Sequence, residues 1–459
     1  MRYVLGFILV VALAAGGLFL YAGRLPGPAI EIAKPTKYVG QAGTLEVAIA
    51  APGAKLTSFK IAFEQNGKQT ALASLAQPGN AEIKHDGPDK VRITRAIGRD
   101  SIPDLKSGPA RIIVTAERPV MYGLRKTQST ASHDVTVRLE KPTIAVISTK
   151  HYINLGGAEM VVYRATPADV ESGVQVGDLT YPGFPASGAK VEGVHIADPA
   201  VKIAFMALRW DQDINTPMHA YAKDEAGNAA RADFDHLAFP KPFKKSKIPL
   251  DDKFLDRVVP AILDTTTEVN PQGSNLEKFL VINGELRQKN AQTIANYAKQ
   301  SAPEILWGGA VFHPFTNTAV EAAFADQRTY VYDGKEVDRQ THLGFDLARV
   351  VNSPVVAANR GKVLHAGPLG IYGNCVILDH GMGVQSLYGH LSSIAVKVGD
   401  MVEKEQEMGK SGMTGLAGGD HLHFTMLVNG VMVNPVEWWD AHWIQDRILR
   451  KLHEASSGT

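Results

Sequence analysis

The chain has 459 residues, and its 48 Lys and Arg nearly balance 47 Asp and Glu. Length suggests about three domains, and a net charge of +1 provides no global attraction to nucleic acid. A single cysteine, Cys375, excludes an intrachain disulfide. With no activating motif beside it, it reads as a core thiol rather than a nucleophile.

Tyr3 to Ala22 is a mostly apolar run bounded by Arg2 and Arg24. As a helix it is roughly 30 Å long, enough to cross a bilayer. Ala12-Leu-Ala14 offers a small-residue cleavage pattern, but the apolar run continues through Leu18-Phe-Leu-Tyr21. This favours an uncleaved anchor over a removed signal peptide for residues 1–26, and either reading exports the rest of the chain. The flanking charges are too few to set orientation.

Residues 27–140 alternate short β-prone runs with turn signals, among them Thr44-Leu-Glu-Val-Ala-Ile49, Ser58-Phe-Lys-Ile-Ala-Phe63 and Ala110-Arg-Ile-Ile-Val-Thr115. This spacing predicts a β-sandwich. Residues 141–240 repeat the style, with Glu159-Met-Val-Val-Tyr163 and Val201-Lys-Ile-Ala-Phe-Met-Ala207, and Asp224-Glu-Ala-Gly-Asn228 resembles a turn common in bacterial immunoglobulin-like modules. Both segments are read as immunoglobulin-like β-sandwiches. They serve either as spacers or as binding modules for glycan or for cell-envelope proteins. Their histidines, such as His151, His195 and His219, lack ligand spacing and read as surface or core residues.

Phe239-Pro-Lys-Pro-Phe-Lys-Lys-Ser-Lys247 opens a linker, residues 241–304, and its lysines read as solvated rather than as contacts to an anionic polymer. Helices follow. Asp252 to Leu263 has helical spacing of apolar residues, Ser274-Asn-Leu-Glu277 is a capping box, and Glu285 to Lys299 reads as a third helix. Lying just before the last domain, this insert is expected to act as a rigid connector; the sharper alternative is that it restrains activity until a partner moves it.

Residues 305–440 hold a constellation of five metal- and proton-handling side chains: His342-x3-Asp346, His390 within Tyr388-Gly-His-Leu391, and His421-Leu-His423. A hydrolytic zinc needs three protein ligands and one open position, and His342, Asp346 and one histidine of the H-x-H pair can supply the three. The remaining histidines are then available for proton transfer and charge stabilisation. His421-Leu-His-Phe-Thr-Met-Leu-Val428, Asn429-Gly430 and Val431-Met-Val433 read as a β-hairpin. On a strand His421 and His423 share one face and Leu422 the other, so both histidines can enter one groove. Upstream, Ser411 to Asp420 is a glycine-rich loop that can let a substrate backbone come close.

These stretches, in order and spacing, resemble the lysostaphin/LytM-type zinc endopeptidases of bacterial peptidoglycan. The resemblance also includes Pro354-Val-Val-Ala357, Gly361-Lys-Val363, Tyr372-Gly-Asn374, Val376-Ile-Leu-Asp-His380, Val398-Gly-Asp-Met-Val402, Gly412-Met-Thr-Gly415 and Asn434-Pro435. It implies an antiparallel β groove-type metallopeptidase domain, one Zn2+ held by His342, Asp346 and His423, and a catalytic pair His390 and His421. It also implies hydrolysis of peptide cross-links by zinc-activated water, with peptidoglycan as substrate and the bacterial cell envelope as location. Residues 1–26 would anchor the chain in the inner membrane, with secretion as the outcome if they are cleaved. The chain departs from the family at Asp420, where proline is usual before H-L-H, and at Thr425, where an acid often follows it. The arginine-bearing strand Phe324-Ala-Asp-Gln-Arg328 also lacks the expected glycine.

His365 and His380 read as hydrogen-bonded structural histidines, with His380, Asp379 and Asp420 as candidates for supporting the ligands. Tyr388 is read equally as core or groove. Residues 441–459 read as a C-terminal helix and tail, and the segment from Val436 to Leu452, with Trp438, Trp439 and Trp443, reads as a helix packing onto the domain, with aromatic stacking on substrate as the sharper alternative. A regulatory or wall-binding protein that keeps the fold without chemistry is the main rival. A lipoyl-type carrier domain, suggested by Val396 to Val402, lacks a lysine in a recognisable hairpin context.

Overall fold

The structure is a computed structural model describing residues 2–313 and 315–458, and it is mainly β, as the sequence predicts. It divides into two compact units, the first ending at Pro142 and taking in Lys223–Ala229, the second formed by Thr143–Ala222 and the chain from Ala230 onward.

In the first unit, helix Arg2–Ala22 contains Tyr3–Ala22, which is long and apolar enough to cross a membrane; a signal sequence near the N-terminus has the same character. A four-stranded and a five-stranded sheet follow. Leu45, Val47 and Ile49 of the first meet Phe59, Ile61, Phe63, Ile112 and Val114 of the second in one core. The alternation of inward apolar and outward polar residues along Gly43–Ala50 and Ser58–Gln65 produces that arrangement.

The second unit has a single continuous core running from Ile153 to Ala455. Strands Ala158–Thr166 and Val201–Ala207 pair antiparallel and are almost wholly buried. Residues 143–222 are therefore no free-standing spacer. Glu437, at the C-terminal end of the chain, accepts hydrogen bonds from Asn154 Nδ2 and the Ala158 amide, each at 2.8 Å. Burial pushes its carboxyl up to about 7. Lys451 and Glu159 form a fully buried ion pair at 2.7 Å, and the Lys451 ammonium also donates to Met160 O. Burial raises the Glu159 carboxyl and lowers the Lys451 ammonium, and each charge only partly offsets the cost for the other.

The last part of the chain builds an antiparallel sheet whose strands run in the order Ala319–Ala322, Phe345–Ala348, Leu422–Val428, Val384–Leu391, Asn374–Gly381, Gly361–Pro368 and Met401–Val402, with Val431–Val433 pairing Leu422–Val428. The predicted hairpin at Asn429-Gly430 is present, both residues in the left-handed region that such a turn requires.

The linker expectation needs correction. Lys245–Leu250 is a strand, parallel to Asp326–Tyr332 with Lys245 opposite Gln327 and Leu250 opposite Tyr332. Ser246, Ile248 and Leu250 face inward while Lys245 and Lys247 face water, so a period-2 pattern lies beneath the lysine and proline content. Helix Asp252–Leu263 follows, capped by the Asp251 carboxylate on Phe254 N. The capping box forms: Ser274 N donates to Glu277 Oε2 and Glu277 N to Ser274 Oγ. The second and third expected helices are one run, Asn275–Val281 and Arg287–Tyr297 joined by a π-turn at Ile282–Leu286.

Lys451→Met leaves Glu159 buried without its counter-charge, and the second unit should lose about 3–5 kcal/mol in chemical denaturation. A loss below about 1 kcal/mol, the size of an exposed pair, would contradict this account of the core.

Candidate metal centre

Strand register brings the site together, with His342, Asp346, His390 and His423 each on a different strand. Asp346 lies directly opposite His423, His423 opposite Gly389, and His342 opposite Asp326. On Leu422–Val428 the side chains of Leu422 and Phe424 enter the core, while His423 and the adjoining His421 occupy the other face. His390 holds a left-handed backbone, φ 64°, unusual for a residue with a side chain and a form of strain that concentrates at functional sites. Its ring centroid lies 4.8 Å from His421 and 5.8 Å from His423. All five side chains predicted from the sequence converge here, and all five are buried.

Backbone carbonyls set the histidine tautomers. His342 Nδ1 donates to Ala323 O at 3.2 Å, His390 Nδ1 to Thr414 O at 2.8 Å, and His421 Nδ1 to Gly419 O at 2.9 Å. Each ring therefore turns its Nε2 toward the cluster, and that of His421 lies 3.5 Å from Asp346 Oδ1. His342 Nε2, Asp346 Oδ1 and His423 Nδ1 lie 2.9 to 3.0 Å apart in all three pairings. Three acceptor atoms packed so closely need a cation or protons between them. Tetrahedral ligands at ordinary metal distances are about 3.3 Å apart, so a slight expansion accommodates a small divalent ion.

Burial would raise the Asp346 carboxyl, but His342, with hydrogen bonds from His421 and His423, holds it well below the usual carboxylate range. Burial lowers His390 well below an ordinary imidazole, with repulsion from His421 and His423 adding to the effect. It also lowers His423 to about 4. For His421 burial is outweighed by the hydrogen bond and charge of Asp346, leaving it raised.

Other residues were only partly legible. Arg328 Nη2 donates to Asp346 Oδ2 at 3.0 Å, which fixes the carboxylate and leaves Oδ1 for the triangle. Gly344 has no room for a side chain, because a Cβ there would lie 2.5 Å from His423 Cε1 and 2.6 Å from Nε2. The spacing of glycine between the two ligand candidates was the available signal. Ala325 takes the left-handed backbone, φ 61°, that a glycine would adopt without strain, and its amide donates to His342 O.

The suggested supporting residues do other work. Asp379 accepts from Ser301 Oγ, Ala302 N and Gly381 N. Asp420 accepts from Ser411 Oγ and Asn352 N, closing the base of the glycine-rich loop. His380 bonds Arg360 O and Ser386 Oγ and is lowered to about 4 by burial. His365 donates to Gly367 O and contacts the Tyr297 hydroxyl. Tyr388 is a core residue whose hydroxyl accepts from Ala358 N. Thr425 donates to Leu343 O and so ties its strand to the turn between His342 and Asp346. Cys375 is buried and its thiol is pushed up by desolvation, as befits a core residue.

The cleft over the cluster is small, about 90 Å³, and is lined by Arg287, Arg328, Tyr372, Leu416 and Gly418 besides the five. Ligand pockets usually measure about 300–1,000 Å³. The helical insert forms part of this cover. Arg257 Nη2 donates to Ala417 O at 2.8 Å, gripping the glycine-rich loop, and Asn290 Oδ1 accepts from Ile371 N.

This sheet and its register gather a His/Asp/His group that could hold a metal ion. Residues 340–435 match the sequence model of peptidase family M23. The DD-carboxypeptidase/endopeptidase Mpg of Neisseria meningitidis is 40% identical over 95 residues, covering 21% of this chain and 22% of that protein. The peptidoglycan DD-endopeptidase ShyA of Vibrio cholerae is 38% identical over 96 residues, with coverage of 21% and 22%. The chain thus spans under a quarter of the length of these relatives. A solved structure, a putative peptidase M23 from Pseudomonas aeruginosa, aligns at 20% identity with TM-score 0.37, covering 62% of this chain and 94% of that one.

Gly344→Ala should drive the His423 ring out of the triangle and lower divalent-metal affinity about 10- to 100-fold, the usual cost of disturbing a ligand's support. Competition against a chromophoric chelator reads the affinity and circular dichroism the fold. Unchanged affinity in a folded variant would contradict the close fit.

Proposed function

We propose that this chain is a zinc-dependent endopeptidase that hydrolyses peptide cross-links of bacterial peptidoglycan. The observation that carries this reading is the triangle of ligand-type atoms, His342 Nε2, Asp346 Oδ1 and His423 Nδ1, with the imidazoles of His390 and His421 beside it, each tied to a carbonyl through Nδ1. These three residues would hold the zinc, which when bound supplies a Lewis acid that polarises a carbonyl and acidifies water. Relatives named for peptidoglycan DD-endopeptidase activity support the substrate class.

His390 and His421 are the proposed catalytic pair. Each presents Nε2, with its other nitrogen tied to a carbonyl, so each can accept a proton from attacking water or, once protonated, donate to the oxyanion of a tetrahedral intermediate. Arg328 is a positioning residue, holding the free oxygen of Asp346. Helix Arg2–Ala22, with Tyr3–Ala22 long and apolar enough to cross a membrane, supports a membrane anchor, and in this reading the chain works in the cell envelope beside its polymer. In this reading the two sheets of the first unit form an immunoglobulin-like module that meets envelope partners, and the sheets built mainly from residues 143–222 form a second such module packed into the core of the second unit.

The helical insert restrains the enzyme. A 90 Å³ cleft admits no peptide, and Arg257 holds the glycine-rich loop that closes it. Arg257→Ala should therefore raise the initial hydrolysis rate severalfold. An unchanged rate would assign the insert to a connecting role.

Incubation with cross-linked peptidoglycan, followed by mass spectrometry of the products, tests the activity itself. Cleaved cross-links should appear, vanish with a chelator, and fall at least about 100-fold in His421→Ala, the magnitude of a lost acid–base group. Undiminished product in both controls would overturn the mechanism.

A further inference from the structure

Beside the cluster lies a second, larger cavity of about 730 Å³, lined by Lys245, Arg287, Arg328 and Arg339 together with Trp210 and neutral polar side chains. Four cations line it and no carboxylate does. Arg287 and Arg328 also line the cleft over the metal-ligand triangle, so the two spaces share a wall made of two guanidinium groups. Arg328 and Arg339 have carboxylate partners, Asp346 and Asp326 for the first and Glu336 for the second. Among the described residues, Arg287 has no ion-pair partner; its Nε and Nη2 are bonded to the Asn283 carbonyl and amide oxygens. Lys245 likewise has none, and stands exposed on the strand that the sequence presented as a lysine-rich linker.

We infer that this groove is a subsite for a carboxylate-bearing peptide, binding the acidic stem that flanks the scissile bond. The inference rests on the proposed peptidase reading for the identity of that peptide. A cleft lined by one sign of charge concentrates ligands of the other, and its focusing is greatest where low-dielectric walls confine the field. Guanidinium groups suit carboxylates because their planar fork matches two oxygens at once. The size is in the range of pockets that hold a short ligand segment, unlike the cleft next to it. Its position explains why unrelated parts of the unit meet here: Trp210 comes from the segment before the linker, Lys245 from the edge strand, Arg287 from the helical insert, and Arg339 from the hairpin that ends in His342. The stem would enter along the basic groove and present the cross-link beyond Arg287 and Arg328.

The test uses the full chain in detergent and the double variant Lys245→Ala/Arg339→Ala, both positions outside the proposed catalytic machinery. Substrates are a cross-linked stem-peptide dimer and the same dimer with its carboxylates converted to carboxamides. For the acid dimer the variant should raise KM about five- to twentyfold, as expected for losing two solvent-accessible charge contacts. The turnover number should stay within about twofold, because only uniform binding is lost. The amidated dimer should bind wild type weakly and distinguish wild type from variant hardly at all. Equal KM values for wild type and variant on the acid dimer, or an equal shift on both dimers, would overturn the inference.

Calorimetric titration of the uncross-linked acid stem separates the two proposals. Weaker binding to the variant without cleavage in any reaction would retain the groove and reject the peptidase. Normal cleavage with identical binding to both proteins would do the reverse. Tighter binding of inorganic phosphate than of the stem would overturn the carboxylate assignment.

Discussion

The pairing of strand Phe345–Ala348 with Leu422–Val428 is the constraint on which the site depends. With Asp346 opposite His423, one carboxylate oxygen meets one imidazole nitrogen at 3.0 Å, and a slip of one residue would turn both side chains to the other face. The register is secured by what lies on the reverse side. Leu422 and Phe424 are wholly buried, so the strand cannot slip without bringing histidines into the core and apolar groups into the cleft. Gly344 then lets the His423 ring lie against the turn, and Arg328 fixes the second oxygen of Asp346.

The same unit surrounds this site with packing from distant sequence. The N-terminal part of the unit is joined to the C-terminal helices through Glu437 and the buried Lys451–Glu159 pair, so movement of the site relative to that support would expose buried charge. On the opposite side of the cleft the helical insert is anchored in the same core through Leu255, Val258, Phe279 and Leu286, and it bonds the cleft's loops directly through Arg257 on two carbonyls and Asn290 on a single amide.

Much of the candidate site was legible because its information is local. The H-x-H spacing predicts two histidines on one strand face, the Asn-Gly pair predicts the hairpin that follows, and Ser274 with Glu277 predicts a helix start. Each depends on residues within a turn or a few strand positions. What the sequence concealed depends on distant partners. Lys245–Leu250 reads as a linker because its pairing strand begins at Asp326, and its alternation is masked by lysines on the wet face. Asp420 and Asp379 are plausible supports for a histidine by composition, yet carbonyls of Ala323, Thr414 and Gly419 take that role, and a carbonyl leaves no trace in residue identity. Nothing local marks Arg287 or Asn290, since only the chain's return brings the cleft to Arg287 and the Ile371 amide to Asn290.

In the proposed mechanism the triangle of His342, Asp346 and His423 holds zinc. The most direct measurement is the zinc K-edge absorption spectrum of the purified chain. The account predicts one retained zinc per chain, with imidazole nitrogen and carboxylate oxygen at about 2.0–2.2 Å in four-coordinate geometry. A chain that retains no zinc, or a six-coordinate shell of oxygen alone, would contradict it.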